Sequence, residues 1–141
     1  MVLCDVSVLV AAFRSDHEFH QVSRAWLERT IRADHAYGVS ELALSACVRI
    51  VTNPRAVRDP NTLDEAISFS TAVLRPPQAV RVTPGPRHWD IFVRLCTEAH
   101  VRGDLVSDAY FAAMAIEHGC EWITLDGDFA RFPGLKWRRP S

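Results

Sequence analysis

Apolar and polar positions along the chain alternate between two periods. The run "VLCDV" (2–6) reads as a short strand, and "SVLVAAFRSD" after it changes to a helical pattern. Residues 17–32 place Phe19, Val22, Trp26 and Leu27 near one face, with Asp16 in position to cap a helix. "HAYGVS" predicts a second strand. It is followed by the helix "ELALSACVRIVT", with Ser40 as N-cap and a stop at "NP". The stretch 53–61, "NPRAVRDPN", is a loop. "TLDEAISFSTAVL" predicts a helix with a capping box between Thr62 and Glu65. "AVRVT" (79–83) predicts a third strand, and "PRHWDIFVRLCTEAH" a helix whose apolar stripe is Trp89, Phe92, Val93 and Cys96. "LVSDAYFAAMAIEHG" is a further helix ended by Gly119, "CEWITL" a fourth strand, "DGDFARFPG" a turn and "LKWRR" a last short strand.

Strands alternating with helices predict an α/β fold: a central parallel sheet of four to five strands with helices on both faces, three layers in all. No linker, repeat or low-complexity segment interrupts the pattern, so residues 1–141 are expected to form a single domain. The composition is that of an ordinary globular protein, 48% apolar and 23% charged, which argues against disorder. The net charge of -1 advertises no polyanionic partner. Among 16 basic residues Lys136 is the single lysine, a bias that genomic base composition or a demand for bidentate phosphate and carboxylate contacts would each produce.

Cys4, Cys47, Cys96 and Cys120 are scattered through apolar runs and form no CxxC pair. They read as core residues of a reducing compartment rather than as zinc ligands or disulfides. The N-terminal run carries Asp5 and lacks a basic leader. It predicts neither a signal peptide nor a membrane span, and so a cytoplasmic protein. The pair His17 and His20 in "HEFH" lacks the i, i+4 spacing of a zincin helix and reads as surface. No GxGxxG, GxxxxGK[ST] or GxSxG occurs, which argues against dinucleotide, P-loop and nucleophile-elbow chemistry.

Sites in open parallel sheets form beyond the carboxyl ends of the strands. Asp5 ends the first strand, Glu41 follows the second, Asp126 ends the fourth, and Asp108 falls in the first turn of the helix before it. Asp104 and Asp128 flank the set. Carboxylates converging on one crevice repel each other unless a cation neutralises them, and an oxygen-rich set suits Mg2+ or Mn2+. Each acid also has a plainer reading. Asp108 and Glu41 would complement helix dipoles, and Asp126 and Asp128 would serve a turn. Asp5 is the acid that such accounts explain least well.

"DVSVLVAAF", "LVSDAYFAAMAIEHGC" and "ITLDGDFARFPGL", in this order, resemble the PIN domain, and specifically VapC-type toxins of bacterial toxin-antitoxin pairs. "SELALSACVRIVTNPR" is similar to one branch of them. The resemblance spans essentially the whole chain. It implies a Mg2+- or Mn2+-dependent endoribonuclease that cuts structured RNA such as tRNA or ribosomal RNA, leaves 5'-phosphate and 3'-hydroxyl ends, and is neutralised by a cognate antitoxin. A homodimer is also implied. By position Asp5, Asp108 and Asp126 match the family's acids and metal ligands, and Ser7 matches a small polar residue that supports the first acid.

One position departs from the family's pattern. The second acid of the family aligns with Ala46 or Cys47, and the nearby acid is Glu41, five residues earlier. Glu41 is therefore a fourth catalytic candidate, with Asp104 and Asp128 as possible supports. Arg49, Arg55 and Arg58, and the tail "KWRR", are candidates for RNA phosphate contacts. Because that acid is displaced, an impaired PIN domain that only binds RNA or its antitoxin is the alternative. A haloacid-dehalogenase-type phosphatase would need a second Asp where Ser7 stands, and a receiver domain would need an acid pair and an acceptor that the first and third strands lack.

Overall fold

The computed structural model describes residues 1–141. Strands β1 (Val2–Cys4), β2 (Tyr37–Val39), β3 (Ala79–Arg81), β4 (Glu121–Ile123) and β5 (Trp137–Arg138) form one sheet in the order β3-β2-β1-β4-β5. Every neighbouring pair is parallel, as the alternation of strands and helices predicts. The helices are α1 (Val6–Phe13), α2 (His20–Arg32), α3 (Glu41–Val51), α4 (Leu63–Leu74), α5 (His88–Glu98) and α6 (Asp104–Glu117), with a 3-10 turn at Gly127–Arg131.

The strands are two or three residues long; β1, β2 and β4 form the buried middle of the sheet, while the edge strands β3 and β5 are partly exposed. Alternating side chains of the strands feed the helical layers on both faces. In β4, Ile123 packs with Val8, Leu9, Leu27 and Leu44, whereas Trp122 packs with Leu95, Met114 and Phe129 on the other face. Leu3 of β1 joins the second layer, flanked by Val2 and Cys4, which border the first. On α6, Ala109, Ala112, Ala113 and Ala115 are fully buried. Their small side chains let the helix lie close to the sheet.

The caps expected at Ser40 and Thr62 are present. Ser40 Oγ accepts from the Ala43 N–H at 3.2 Å, and Thr62 and Glu65 form the reciprocal capping box. Gly119, at φ 66°, follows α6 as a left-handed stop. Other expectations need correction. Asp16 does not cap α2, which begins at His20. Instead its carboxylate takes a bidentate contact from Arg14, whose buried guanidinium also donates to the carbonyls of Arg58 and Asp59 and so pins the 53–61 loop. On α2, Trp26 and Leu27 are buried but Val22 is exposed. On α5 the buried residues are His88 and Leu95, while Trp89 is 65% exposed and Val93 is exposed too. The stripe is displaced because the His88 ring is accommodated inside, where it hydrogen-bonds the Tyr110 carbonyl at 2.9 Å. Asp108 lies one turn further into α6 than expected, and Asp104 occupies the first turn.

Between β3 and α5 the chain is held by a buried acid. Glu117 accepts N–H bonds from Gly85 (2.7 Å) and Arg87 (2.9 Å). Burial alone would raise its pKa, but these two bonds and the neighbouring His118 and His88 outweigh it and hold the carboxyl below its ordinary value. A Cβ on Gly85 would stand 2.6 Å from Glu117 Oε2. Gly85→Ala should therefore cost about 1–3 kcal/mol by overpacking against a carboxylate that cannot swing away. Thermal or urea denaturation tests this, and an unchanged midpoint would refute the close-approach account.

Candidate functional site

The strand order reverses between β1 and β4. The chain leaves β1 for β2 and β3 on one side and returns to build β4 and β5 on the other. Connections leaving two adjacent carboxyl ends in opposite directions open a crevice there. Asp5 directly follows β1, and its N–H donates to the Ile123 carbonyl at the end of β4 at 2.9 Å. Asp126 comes three residues after β4.

Two hydroxyls fix the Asp5 carboxylate. Ser7 Oγ donates to Oδ2 at 2.9 Å and Thr124 Oγ1 donates to the same oxygen at 2.5 Å. Each hydroxyl in turn accepts a backbone N–H, Ser7 from Leu125 at 3.1 Å and Thr124 from Asp126 at 3.0 Å. With one proton each, both hydroxyls are thereby oriented toward the carboxylate. The expected support of Asp5 by Ser7 is present as geometry. Thr124 went unnoticed in the sequence. Its signal was a hydroxyl two residues before Asp126 at the end of a buried strand.

The carboxylates repel one another. Asp5 is 7% exposed, and burial raises its pKa above the ordinary carboxylate value. The hydrogen bonds from Thr124 and Ser7 and a backbone contact from Val6 oppose the rise, while Asp126 adds to it. Asp108, half-buried on α6, is pushed up to about 6, first by burial and then by the charges of Asp126, Asp5 and Asp128, with Arg131 pulling the other way. Asp126 also caps the 3-10 turn, its Oδ1 accepting the Asp128 N–H at 2.8 Å. The turn and the site are thus the same piece of chain.

Asp5 and Asp108 line one crevice of about 510 Å³ with Arg49, Ala46 and Phe92. A larger cavity, about 800 Å³, lies at the opposite end of the sheet. Its acid, Glu121, is paired with Arg138 at 2.8 Å, so it holds no cluster of unpaired carboxylates. Glu41 is not brought into the Asp5 crevice. It is exposed on the α4 side of α3 and pairs with Arg81 at 2.8 Å, because the first turn of α3 aims it toward β3. Ala46 lines the crevice where the acid of the resembled family aligns, and Cys47 is buried. Asp104 is exposed one turn before Asp108, and Asp128 is exposed beside Arg131 at 3.6 Å. Arg55 and Arg58 are exposed on the 53–61 loop and do not line the crevice.

No three His, Cys, Asp or Glu side chains stand close enough to form a ready-made metal cage. The charge of Asp126 nevertheless raises both Asp5 and Asp108, and that of Asp5 raises Asp108 further, so the three carboxylates lie within one field. Oxygen donors arranged in this way suit Mg2+ or Mn2+, since Mg2+ keeps several waters and takes only one or two carboxylates directly. The donor set contains no soft ligand and does not suit a structural zinc.

The PIN domain family model matches residues 2–135. Ribonuclease VapC25 of Mycobacterium tuberculosis is 41% identical over 140 residues, which cover 99% of both chains. Ribonuclease VapC43 of the same species is 38% identical, covering 99% of this chain and 95% of that one. Among solved structures, VapBC2 from Rickettsia felis bound to a promoter DNA fragment superposes with a TM-score of 0.71 over the full length of both chains at 16% identity. VapC20 of M. tuberculosis, described as a sarcin-ricin loop cleaving toxin, gives 0.63 over 96% of this chain and 99% of that one at 14% identity.

The shifted Asp108 makes stability depend on pH in a definite sense. Its carboxyl binds a proton more tightly in the native state, near pH 6, than in the unfolded chain, near about 3.9. Between those values the native state holds more protons, so this contribution to stability falls as pH rises. Asp5 acts in the same direction. Asp108→Asn should accordingly melt higher than wild type at pH 7, with the difference shrinking toward pH 4, and Mg2+ should narrow it by stabilising only the wild type. Parallel melting curves for the two proteins across this range would rule the repulsion out.

Proposed function

Since the chain belongs to the PIN domain family, we propose that it is a VapC-type endoribonuclease, the toxin of a type II toxin-antitoxin pair. Two features support this reading together: identity to curated VapC ribonucleases over nearly the whole chain, and the buried, hydroxyl-bound Asp5 facing Asp108 at the reversal of strand order. The reaction is hydrolysis of a phosphodiester bond in structured RNA. Water adds to phosphorus, the 3' oxygen leaves and takes a proton, and the 5'-phosphate stays on the other product.

Asp5, Asp108 and Asp126 would hold a Mg2+ or Mn2+ ion. When bound, such an ion neutralises the carboxylates and makes a water more acidic for attack on phosphorus. The chain's own residues prepare that site. Ser7 and Thr124 hold Asp5 in one orientation, so its carboxylate need not reorganise. Asp108, its carboxyl pushed up to about 6 by burial and by Asp126, Asp5 and Asp128, stands where added positive charge is favoured. Arg49, exposed on the crevice and free of any carboxylate partner, is placed to contact an RNA phosphate. Arg55 and Arg58 would touch RNA only where the substrate extends beyond the crevice.

The structural neighbours include the VapBC2 and FitAB complexes, whose names support an antitoxin as partner of this chain also. The chain would work as a homodimer in the cytoplasm; no helix is long and apolar enough to cross a membrane. The impaired-domain alternative draws on one observation, that Glu41 is turned away to Arg81. Activity decides between the two. Asp5→Asn and Asp108→Asn should abolish RNA cleavage in Mg2+ or Mn2+, EDTA should do the same, and Glu41→Gln should cut like wild type. Thr124→Val should lose about 10–100-fold, the usual cost of removing a partner that orients a metal ligand. Undiminished cleavage by the Asp5 and Asp108 variants would sink the assignment, and wild-type protein that binds RNA without cutting it would support the alternative.

A further inference from the structure

The crevice that holds Asp5 and Asp108 is acidic on one side only. Eight of its twelve lining residues are apolar, and its aromatic members are Phe92 of α5 with Tyr110 and Phe111 of α6. Phe92 and Tyr110 meet edge to face with centroids 5.8 Å apart. Trp89 tilts against Phe92 at 5.3 Å and, being 65% exposed, carries the aromatic surface out of the crevice into solvent. Leu42, also exposed, and Ile50 line the same crevice from α3. Leu42, Ile50, Trp89 and Tyr110 lie outside the two core clusters, whereas Phe92 and Phe111 border the core from the crevice side. The buried positions on α5 are His88 and Leu95.

We propose that this wall is a pocket for one unstacked nucleobase beside the scissile phosphodiester, with Phe92 as the residue that positions it. The inference rests on the nuclease assignment. A base is joined to its phosphate through a single sugar, so an RNA strand that brings phosphorus to the carboxylates must put a neighbouring base within the same crevice. The volume of about 510 Å³ falls in the range, roughly 300–1,000 Å³, in which proteins enclose small planar ligands. Arg49 on the same lining supplies the cation that a flanking phosphate needs. Aromatic side chains accept any base by its face, and only a base outside a duplex stack presents one.

The consequence is a substrate rule. Cleavage falls where a nucleotide is extruded, in a loop, bulge or strained single strand, and not within a continuous helix. A protein segment with an apolar side chain would also suit such a wall. The shared crevice favours the base, because the aromatic wall, the carboxylates and Arg49 would be contacted by one and the same strand.

An RNA hairpin with a randomised loop serves as probe. After the cut is mapped, the cleaved sequence is made again with an abasic ribose on either side of the cut and offered to wild type, Phe92→Leu and Phe92→Trp. One abasic position should lower wild-type kcat/KM by about 5- to 150-fold, the equivalent of ~1–3 kcal/mol for a stacked base. Phe92→Leu should cut intact RNA correspondingly slowly and no longer distinguish it from abasic RNA, while Phe92→Trp should restore both rate and discrimination. Equal cleavage of intact and abasic RNA by wild type overturns the pocket and leaves the nuclease assignment standing. Absence of any cleavage by wild type strikes the assignment itself. If Phe92→Leu leaves cleavage unchanged but weakens capture of the cognate antitoxin, the wall is a protein-docking surface and the proposal is wrong. Should Phe92→Leu fail to fold by circular dichroism, the abasic comparison in wild type still decides.

Discussion

Everything at the candidate site depends on one buried carboxylate kept in place at the seam between β1 and β4. Asp5 sits where the chain turns from strand into helix, and its own carbonyl accepts the N–H groups of Val8 and Leu9 as α1 begins. Its side chain binds Thr124 and Ser7, which in turn bind the backbone of Leu125 and Asp126. A single acid therefore joins the first strand, the first helix and the return of the chain in β4. Loss of any of these contacts would leave a buried polar group unsatisfied, which is costly in a low-dielectric interior.

That arrangement stores a conflict. Burial and neighbouring acids drive the pKa values of Asp5 and Asp108 upward, so the metal-free fold is less stable when both are ionised. The rest of the structure compensates with ordinary means: close packing of the alanine face of α6, the capping box at α4 and the paired Glu117 behind β3. Repulsion confined to one crevice and support spread over two apolar layers would suit the cation site proposed for it. The site is disfavoured when empty of charge compensation, and the fold around it stays intact.

Much of this was legible in the chain. The alternation of strand and helix patterns carried the layered fold, since buried parallel strands and amphipathic helices write distinct periods into sequence. Asp5 was also legible, because an acid ending an apolar strand has few structural excuses. Side-chain direction was not. Five residues of helix already set Glu41 roughly 140° from Ala46 and so on another face, but only the way α3 lies against α4 and the sheet brings the first face to Arg81 and the second to the crevice. Trp89 misled for a related reason. Its spacing matched a core stripe, but His88 could satisfy its ring against a carbonyl and took the interior instead. Periodicity identifies a face of a helix without saying which of two adjacent faces is buried.

The exposed indole and the displaced acid are linked by the geometry of α3 and α5. Where α3 could have carried a further carboxylate into the crevice it presents Ala46 flanked by Leu42 and Ile50, and across from it α5 presents Phe92. The crevice therefore has its carboxylates on the β1 and α6 side, while α3 and α5 bring Leu42, Ala46, Ile50 and Phe92 with Arg49 as the cation among them. An ionic strand laid across such a cleft is sorted by its own chemistry. On the proposed reading, phosphate would lie between the carboxylates and Arg49, and the base would turn to Phe92 and its apolar neighbours. Division of the cleft in this way would make the orientation of an RNA strand a property of the fold rather than of any single contact, without another acid from α3.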